Sequence, residues 1–131
     1  MPGPIRYAGC MAFSPQDIER IDRTPEVVLE TQPPDGEPHR ATIWAVVDDD
    51  RVYVRSWDGA EARWYRQIQA NPAAALLVDG ERYPVTAIPA TDPDSIERTN
   101  DGLRRKYAGD PATERMCREE ILDTTLRLEL T

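Results

Sequence analysis

The sequence predicts an α+β fold: a small, mainly antiparallel sheet of six strands curls into a barrel and carries flanking helices. Short runs rich in β-branched residues alternate with turn residues, which is the pattern of consecutive hairpins. Other stretches carry apolar residues at helical spacing. The length of 131 residues suits a single domain over 1–131, in which residues 1–12 form a loose arm because they show no clear period.

The first half of the chain predicts one helix followed by three strands. Ser14 is a capping residue, Pro15 suits a first helical turn and Asp17 complements the helix dipole. Two prolines and an Asp-Gly pair within 33–36 require a turn, and the three aspartates at 48–50 form a tight polar turn. The predicted elements are a helix from Ser14 to about Arg23 and strands over 27–31, 39–48 and 51–56.

The second half predicts three helices and three strands. Asn71-Pro72 ends the first of these helices, because proline cannot continue it, and Asp79-Gly80 is a hairpin turn. Pro84 and Pro89 predict that their strand is an edge strand or is bulged. Strict alternation near the C-terminus predicts a half-buried strand with its leucines inward. The predicted elements are helices over 61–70, 92–107 and 111–122, and strands over 75–78, 82–88 and 125–130.

Charge and composition exclude several classes of function. The net charge of −8 leaves no basic stripe for nucleic acid, and Arg104-Arg105-Lys106 is interpreted as a solvated helix face. No apolar run approaches the length of a membrane helix, and the N-terminus lacks signal-peptide features, so we expect a cytoplasmic protein. Cys10, Cys117 and the single His39 offer no zinc-binding spacing, which predicts no metal site and two reduced packing thiols.

Strand parity singles out Arg55 as a candidate anion-binding residue. Val52 and Val54 share one face, which we assign to the core, so Tyr53 and Arg55 share the other. Arg55 would then point outward or into a groove, where Ser56 adds a hydroxyl. On this interpretation Arg55 is replaceable without unfolding the chain. A surface arginine in an ion pair is the alternative.

Neighbouring residues would extend this anion site. Arg40 and Thr42 lie on one side of the facing strand, where they would complete a phosphate site, although a solvated strand face is the alternative. Trp64 and Tyr65 open a helix whose free amides suit a phosphate, although Trp64 would equally fill a core. Arg63 and Arg66 flank that pair. His39 is a candidate base, with a plain turn residue as the favoured alternative.

An ordered set of motifs resembles the split β-barrel superfamily, which includes pyridoxamine 5′-phosphate oxidases and deazaflavin-dependent nitroreductases. The set consists of Tyr53-Val54-Arg55-Ser56-Trp57-Asp58-Gly59, Arg63-Trp64-Tyr65 and Ala70-Asn71-Pro72. The resemblance covers roughly residues 14–110. When the strand Trp44–Val47 is included, the resemblance is nearest to a branch of short bacterial proteins of unknown function.

The resemblance implies a homodimer with FMN or a deazaflavin (coenzyme F-420) in a groove between subunits. The implied cofactor-binding residues are Arg40, Thr42, Arg55, Ser56, Gly59, Trp64 and Tyr65. Lys106 and Tyr107 would end a helix near the bound ring. No nucleophile–base pair is evident, so the cofactor would carry the chemistry and the protein would orient and shield it, as in an oxidoreductase.

Two departures from the family pattern leave alternatives open. Pro34-Asp35-Gly36-Glu37-Pro38 stands where relatives carry a glycine- and lysine-rich phosphate loop, and the strand over 125–130 also differs. Motif order favours the deazaflavin, whereas the acids Asp35 and Glu37 favour FMN. A module of the same fold that binds another small ligand or haem without redox chemistry, and a structural homodimer without a cofactor, are the alternatives.

Overall fold

A computed structural model describes residues 12–131, so that the predicted N-terminal arm lies, except for Ala12, outside the described residues. The helices are α1 (Pro15–Arg23), α2 (Arg63–Ala70), α3 (Pro93–Lys106) and α4 (Thr113–Met116), with short 3-10 helices at Gly59–Glu61 and Glu119–Thr124. The strands are β1 (Val27–Thr31), β2 (His39–Ile43), β3 (Ala45–Asp48), β4 (Arg51–Val54), β5 (Ala73–Val78), β6 (Glu81–Pro89) and β7 (Leu126–Leu130).

Across the described residues the strands form one antiparallel sheet in the order β2-β1-β5-β6-β7-β4-β3. Only Trp44 separates β2 from β3 along the chain, yet these two strands are the opposite edges of the sheet. The sheet must therefore curl until its edges approach each other at Trp44. This confirms the predicted α+β barrel, but with seven strands, because the single strand predicted over 39–48 is interrupted at Trp44.

The local signals at the helix and strand ends are largely confirmed. Ser14 and Asp17 form a reciprocal capping box at the start of α1, and Asp92 caps α3. In β7, Leu126 and Leu128 are buried, as its alternating pattern predicts. The helix predicted over 111–122 is shorter than expected, since the extended backbone of Arg118 separates α4 from the following 3-10 helix.

The prediction that the proline-containing strand lies at an edge or is bulged is wrong. Strand β6 pairs with β5 on one side and with β7 on the other. The Pro84 carbonyl accepts a hydrogen bond from the Thr131 amide at 2.9 Å, just beyond the last β6–β7 pair, Val85 with Leu130. In an antiparallel strand, the backbone N and O of one residue point to the same neighbouring strand, which for Pro84 is β7. The backbone N–H that proline lacks is therefore missing only at the end of the β6–β7 hydrogen-bond ladder.

Two apolar clusters pack on opposite faces of the sheet. Val52 and Val54 belong to the cluster inside the barrel, as strand parity predicts. Tyr53 belongs to a second cluster, which includes Leu103 of α3 and Met116 of α4. The face that the sequence assigns to solvent or to a groove is therefore covered by helices.

The second cluster contains a hydroxyl that gives a testable prediction. Tyr53 is fully buried, and its hydroxyl has no hydrogen-bond partner among residues 12–131. We expect Tyr53→Phe to raise the free energy of unfolding by about 1 kcal/mol, since a buried unpaired hydroxyl is costly. Tyr107→Phe is the matched control, because the Tyr107 hydroxyl donates to the Pro25 carbonyl, and it should destabilise the chain by about 1 kcal/mol. Urea unfolding measures both, and a destabilised Tyr53→Phe variant would contradict the prediction.

Candidate functional site

A cavity of about 530 Å³ lies near the split between the sheet edges. It lies between β2 and the segment that follows β4. All three tryptophans of the chain line it, namely Trp44, Trp57 and Trp64. Its polar lining consists of His39, Thr42, Arg55, Asp58 and Arg63. A concave site with an aromatic lining and a few polar groups is typical of small-molecule binding.

Arg55 lies in the wall of this cavity and is only 2% exposed. Its Nε donates to Thr125 Oγ1 at 2.8 Å, and its Nη1 donates to Asn100 Oδ1 at 2.6 Å and to the Met116 carbonyl at 3.0 Å. Its Nη2 donates to the Ile96 carbonyl at 3.4 Å. Arg55 therefore links β4 to α3, α4 and the start of β7. Of the two predicted orientations, outward or into a groove, the position of Arg55 in the cavity wall matches the second. Its four buried hydrogen bonds argue against the expectation that Arg55 is replaceable without effect on the fold.

The positive charge of Arg55 has no carboxylate partner among residues 12–131, whose salt bridges all involve other arginines. Burial lowers the pKa of Arg55 to about 10, which leaves it charged at neutral pH. The nearby Cys117 thiol does not compensate, since burial raises its pKa despite the opposing effect of Arg104 and Arg55. A buried charge without a counter-ion is costly, so the cavity wall favours an anion.

The start of α2 adds a second feature that suits an anion. Ala62, Arg63 and Trp64 all line the cavity, and Ala62 is the N-cap residue of this helix. No side chain caps the first amides of α2. Uncapped amides and the helix dipole attract negative charge. The helix start at which the sequence predicts an anion site therefore lines the same cavity as Arg55.

Ser56 and Gly59 shape the site without lining it. The Ser56 hydroxyl donates to the Gly59 carbonyl at 2.7 Å, and the Ser56 amide donates to Thr124 Oγ1 at 3.1 Å. Gly59 has a φ of +66°, and a Cβ there would lie 3.3 Å from Ile121 Cγ2, so this position requires glycine. Together they hold the turn that presents Trp57 and its neighbour Asp58 to the cavity.

The structure separates the two aromatic residues of the predicted motif. Trp64 lines the cavity and also belongs to the barrel core, so both interpretations of this residue apply. Tyr65 is not part of the lining. It packs edge-to-face on Trp64 at 6.0 Å, and its hydroxyl donates to the Asp123 carbonyl at 3.4 Å. Burial raises the pKa of Tyr65, so it stays neutral at physiological pH.

The structure also separates Arg40 from Thr42. Both belong to β2, which pairs with β1 and not with β4, so they do not face Arg55 across a hairpin as expected. Thr42 lines the cavity. Arg40 instead forms a salt bridge with Glu30 at 2.9 Å, and Arg82 meets the same carboxylate at 2.7 Å. Arg40 is thus part of an exposed ion-pair network.

Trp44, rather than Tyr107, is the ring that faces the cavity at the split. It stacks on Tyr107 with 3.8 Å between the ring centroids and an interplanar angle of 6°. Lys106 is also occupied by internal contacts, since its Nζ donates to the Ile21 carbonyl at 2.9 Å and to the Ala45 carbonyl at 2.6 Å. Trp44 and Tyr107 line a second pocket of about 390 Å³.

Trp57 forms the rim of the cavity and was not selected from the sequence as a site residue. Trp57 as a whole is 37% exposed, and the guanidinium carbons of Arg115 and Arg118 lie 4.8 and 5.3 Å from its ring centroid. Arg118 Nη2 also donates to the Trp57 carbonyl at 2.6 Å. Its position inside the recognised motif, between Ser56 and Gly59, was the available signal.

The described residues lack the features of two other classes of site. Residues 12–131 contain no group of three or more His, Cys, Asp or Glu side chains placed to hold a metal ion. Within the same residues no helix is long and apolar enough to cross a membrane. Neither finding bears on the cavity, whose lining is aromatic and basic.

The curled antiparallel sheet and its flanking helices define a split β-barrel fold. The chain belongs to the family described as "Uncharacterized protein conserved in bacteria (DUF2255)", whose model matches residues 17–128. No curated protein matches the sequence.

Three solved structures illustrate the likeness. A protein from Listeria innocua assigned as a pyridoxamine 5′-phosphate oxidase is 14% identical, with a TM-score of 0.60 over 88% of this chain and 90% of that one. The haem storage protein HutZ from Vibrio cholerae is 15% identical, with a TM-score of 0.63 over 92% of both chains. An F420 reductase is 20% identical, with a TM-score of 0.58 over 86% of this chain and 91% of that one. Likenesses at these identities confirm the fold alone.

Proposed function

We propose that this chain is a cofactor-dependent oxidoreductase that binds a deazaflavin (coenzyme F-420) or FMN in the 530 Å³ cavity. The observation that carries the proposal is the buried charge of Arg55, which lacks a carboxylate partner among residues 12–131 and lies beside three indole rings. A planar aromatic ligand with an anionic group satisfies both features, because the indoles pack on its ring and the charge attracts its anion.

The described residues fit such a cofactor. Arg55 would supply positive charge rather than free hydrogen-bond donors, because its guanidinium already donates four hydrogen bonds within the chain. Arg63 and the uncapped start of α2 supply the donors for a phosphate. Trp57 and Trp64 contribute apolar walls that exclude water from the ring. A bound flavin or deazaflavin would supply hydride transfer, and the chain would bind and orient it.

We favour the deazaflavin over FMN because of the order in which the sequence motifs occur along the chain. The likeness to an F420 reductase supports this preference. The charge at the loop before β2 opposes it, since the exposed Asp35 and Glu37 would repel the acidic tail of a deazaflavin coenzyme if the tail ran past them. FMN has no such tail. Competitive binding of the two cofactors at low salt distinguishes them, because tight binding of FMN alone would reverse our preference for the deazaflavin.

Titration of tryptophan fluorescence with each cofactor tests the proposal directly, since all three tryptophans line the cavity. We expect quenching with micromolar affinity for at least one cofactor. Arg63→Met should weaken binding by about tenfold or more, through the loss of a charge-assisted contact of about 1.5–3 kcal/mol. Arg66→Met is the matched control, because Arg66 lies on the same helix but does not line the cavity.

Failure of both cofactors to quench the fluorescence would contradict the proposal. Equal loss of affinity in the Arg63→Met and Arg66→Met variants would show that the phosphate is held elsewhere.

A module that binds haem is the second candidate, and one observation favours it. His39 is the only histidine of the chain and lines the cavity, where an imidazole would serve as a ligand of haem iron. The likeness to HutZ is consistent with this candidate. A red complex after addition of haem, with loss of its absorption band in a His39→Gln variant, would support it over the flavin.

We further propose that the chain is a homodimer in the cytoplasm and that the cavity opens at the subunit interface. The exposed ring of Trp57 at the rim supports this arrangement, since aromatic residues and arginine are enriched at interfaces. A structural homodimer without a cofactor would share this interface. Light scattering at micromolar concentrations tests it, and a monomer mass throughout would contradict the shared groove.

A further inference from the structure

The rim of the cavity carries positive charge that the proposed function leaves unused. Arg115 and Arg118 lie over the ring of Trp57, with their guanidinium carbons 4.8 and 5.3 Å from its centroid. Trp57 lines the cavity and is 37% exposed, so this residue borders both the cavity and solvent. Neither arginine belongs to the cavity lining. The two guanidiniums therefore lie outside the site described above, where a bound ligand would project from it.

The short helix α4 places these side chains at the rim. Ala112 is its N-cap residue and Met116 its last residue, and both line the cavity. Arg115 follows Ala112 by three positions, which puts it beside the same face of the helix. Arg118 is held by its Nη1 and Nη2, which donate to the carbonyls of Arg115 and Trp57 at 2.7 and 2.6 Å. The Arg115 side chain makes no hydrogen bond within residues 12–131, so its five donors are free for a ligand.

Neither rim arginine has a carboxylate partner. The salt bridges of residues 12–131 all involve other basic residues, and residues 1–11 contain no Asp or Glu. Glu114, which precedes Arg115, pairs with Arg104 instead. The other acidic residues close in sequence form no salt bridge within the described range, namely Asp58, Glu119 and Glu120.

Unpaired positive charge thus occurs at two depths of one cavity. Arg55 and Arg63 lie in its wall, and Arg115 and Arg118 lie at its rim beyond Trp57. A sphere of 530 Å³ is about 10 Å across, which is comparable to the length of three fused aromatic rings. A planar ligand with one anionic group near the wall arginines would therefore place its opposite end at the rim.

We propose that the cavity selects ligands with an anionic group at each end, and that Arg115 and Arg118 bind the second group at the rim. The inference rests on the proposed function, because it assumes that a planar aromatic anion occupies the cavity. Guanidinium groups suit carboxylates and phosphates, and stacking on Trp57 orients them without using their donors.

The sign of the effect separates this proposal from general electrostatics. The chain has a net charge of −8, which by itself disfavours a ligand with an additional negative charge. A rim that binds the second anionic group reverses this preference. A dianion should therefore bind more tightly than the matching monoanion.

The test compares two ligands that differ by one permanently ionised group. Anthraquinone-2-sulfonate is planar and has one sulfonate, and anthraquinone-2,6-disulfonate has a second one at the opposite end. Isothermal titration calorimetry at low salt gives their dissociation constants for the wild-type chain. After allowance for its two equivalent ends, we expect the disulfonate to bind about threefold to tenfold more tightly, as for exposed ion pairs. Equal or weaker binding of the disulfonate would overturn the inference.

Arg115→Met tests the rim with little risk to the fold, because the Arg115 side chain makes no hydrogen bond within residues 12–131. It should reduce the advantage of the disulfonate by about twofold to fivefold and leave monosulfonate binding unchanged. Adding Arg118→Met should remove the rest of the advantage.

Arg66→Met is the matched control, since Arg66 is exposed, forms no salt bridge within residues 12–131 and does not line the cavity. It changes the net charge by the same amount as Arg115→Met and should leave the advantage of the disulfonate intact. Equal effects of the two variants would overturn the inference. An equal loss of affinity for both sulfonates in Arg115→Met would overturn it too, because the rim would then not act on the second group alone.

Ionic strength provides a second measurement on the wild-type chain. Salt screens exposed charges, so the advantage of the disulfonate should shrink between about 0.02 and 0.5 M salt. An advantage that does not shrink would overturn the inference. Binding of the monosulfonate without any advantage for the disulfonate would overturn it while leaving the cavity as a site for planar anions. If neither sulfonate binds, the proposed function fails and this inference fails with it.

Discussion

Replacement of Arg55 with methionine is expected to lower the free energy of unfolding by about 2–4 kcal/mol. Methionine fills a similar volume but donates no hydrogen bonds. It would leave the Asn100 side chain and the carbonyl groups of Ile96 and Met116 without their present donor in a buried region. Relief from the cost of burying the arginine charge offsets part of this loss. Urea unfolding followed by circular dichroism measures the difference.

Arg63→Met is the matched control for this prediction. Arg63 lines the same cavity, but its side chain is exposed and makes no hydrogen bond within residues 12–131. We therefore expect its loss to change the free energy of unfolding by less than about 0.5 kcal/mol, while cofactor affinity falls. If Arg55→Met proves as stable as the wild type, the four hydrogen bonds of Arg55 do not hold the helices on the sheet.

Local chemistry made most of the fold predictable. The Ser14 cap of α1, the Asp79-Gly80 turn and the alternating leucines of β7 each act within a few residues, and each prediction is confirmed. The interruption at Trp44 was not predictable, because residues 39–48 show no break in their strand pattern. It results from closure of the sheet, which places β2 and β3 at opposite edges.

The site was only partly predictable for the same reason. Strand parity correctly separated Tyr53 and Arg55 from the valines, but parity does not reveal what covers the second face. Helix α3 and the segment after it cover that face, and they supply Asn100 and Thr125 as partners of Arg55. These contacts span 45 and 70 residues of sequence, so no local pattern encodes them.

Of the seven cofactor-binding residues predicted from the sequence, three line the cavity, namely Thr42, Arg55 and Trp64. Ser56 and Gly59 belong to the turn that supports the cavity, and Tyr65 packs behind Trp64. The motif therefore located a segment of chain that lines the cavity, whereas the direction of each side chain depended on tertiary packing.

Lys106, the only lysine of the chain, gives the second large prediction, which concerns the dependence of stability on pH. Burial lowers the pKa of Lys106 to about 8, against the opposing attraction of Asp22. Its two hydrogen bonds to the carbonyls of Ile21 and Ala45 need only donors, so the neutral amine keeps both. The folded state therefore favours the neutral amine.

The sign of the effect follows from proton binding. Below about pH 8 both the folded and the unfolded chain hold this proton, so the cost of burying the charge is fully present. Between about pH 8 and 10.4, the folded chain loses the proton while the unfolded chain retains it, since an unperturbed lysine has a pKa near 10.4. Stability due to Lys106 therefore increases as pH rises through this range. Reduced by solvent screening, the gain is about 1–3 kcal/mol.

Other groups titrate in the same range, so we expect the effect in the difference between the wild type and Lys106→Met. The Cys117 thiol opposes it, because burial raises its pKa and the unfolded thiol ionises first, but Cys117 is present in both proteins and its contribution cancels. Urea unfolding at pH 7.5 and 10 should show the wild type gaining about 1–3 kcal/mol relative to Lys106→Met. A constant difference would mean that Lys106 keeps its proton when folded, with its ammonium group better solvated than its contacts with α1 and β3 indicate.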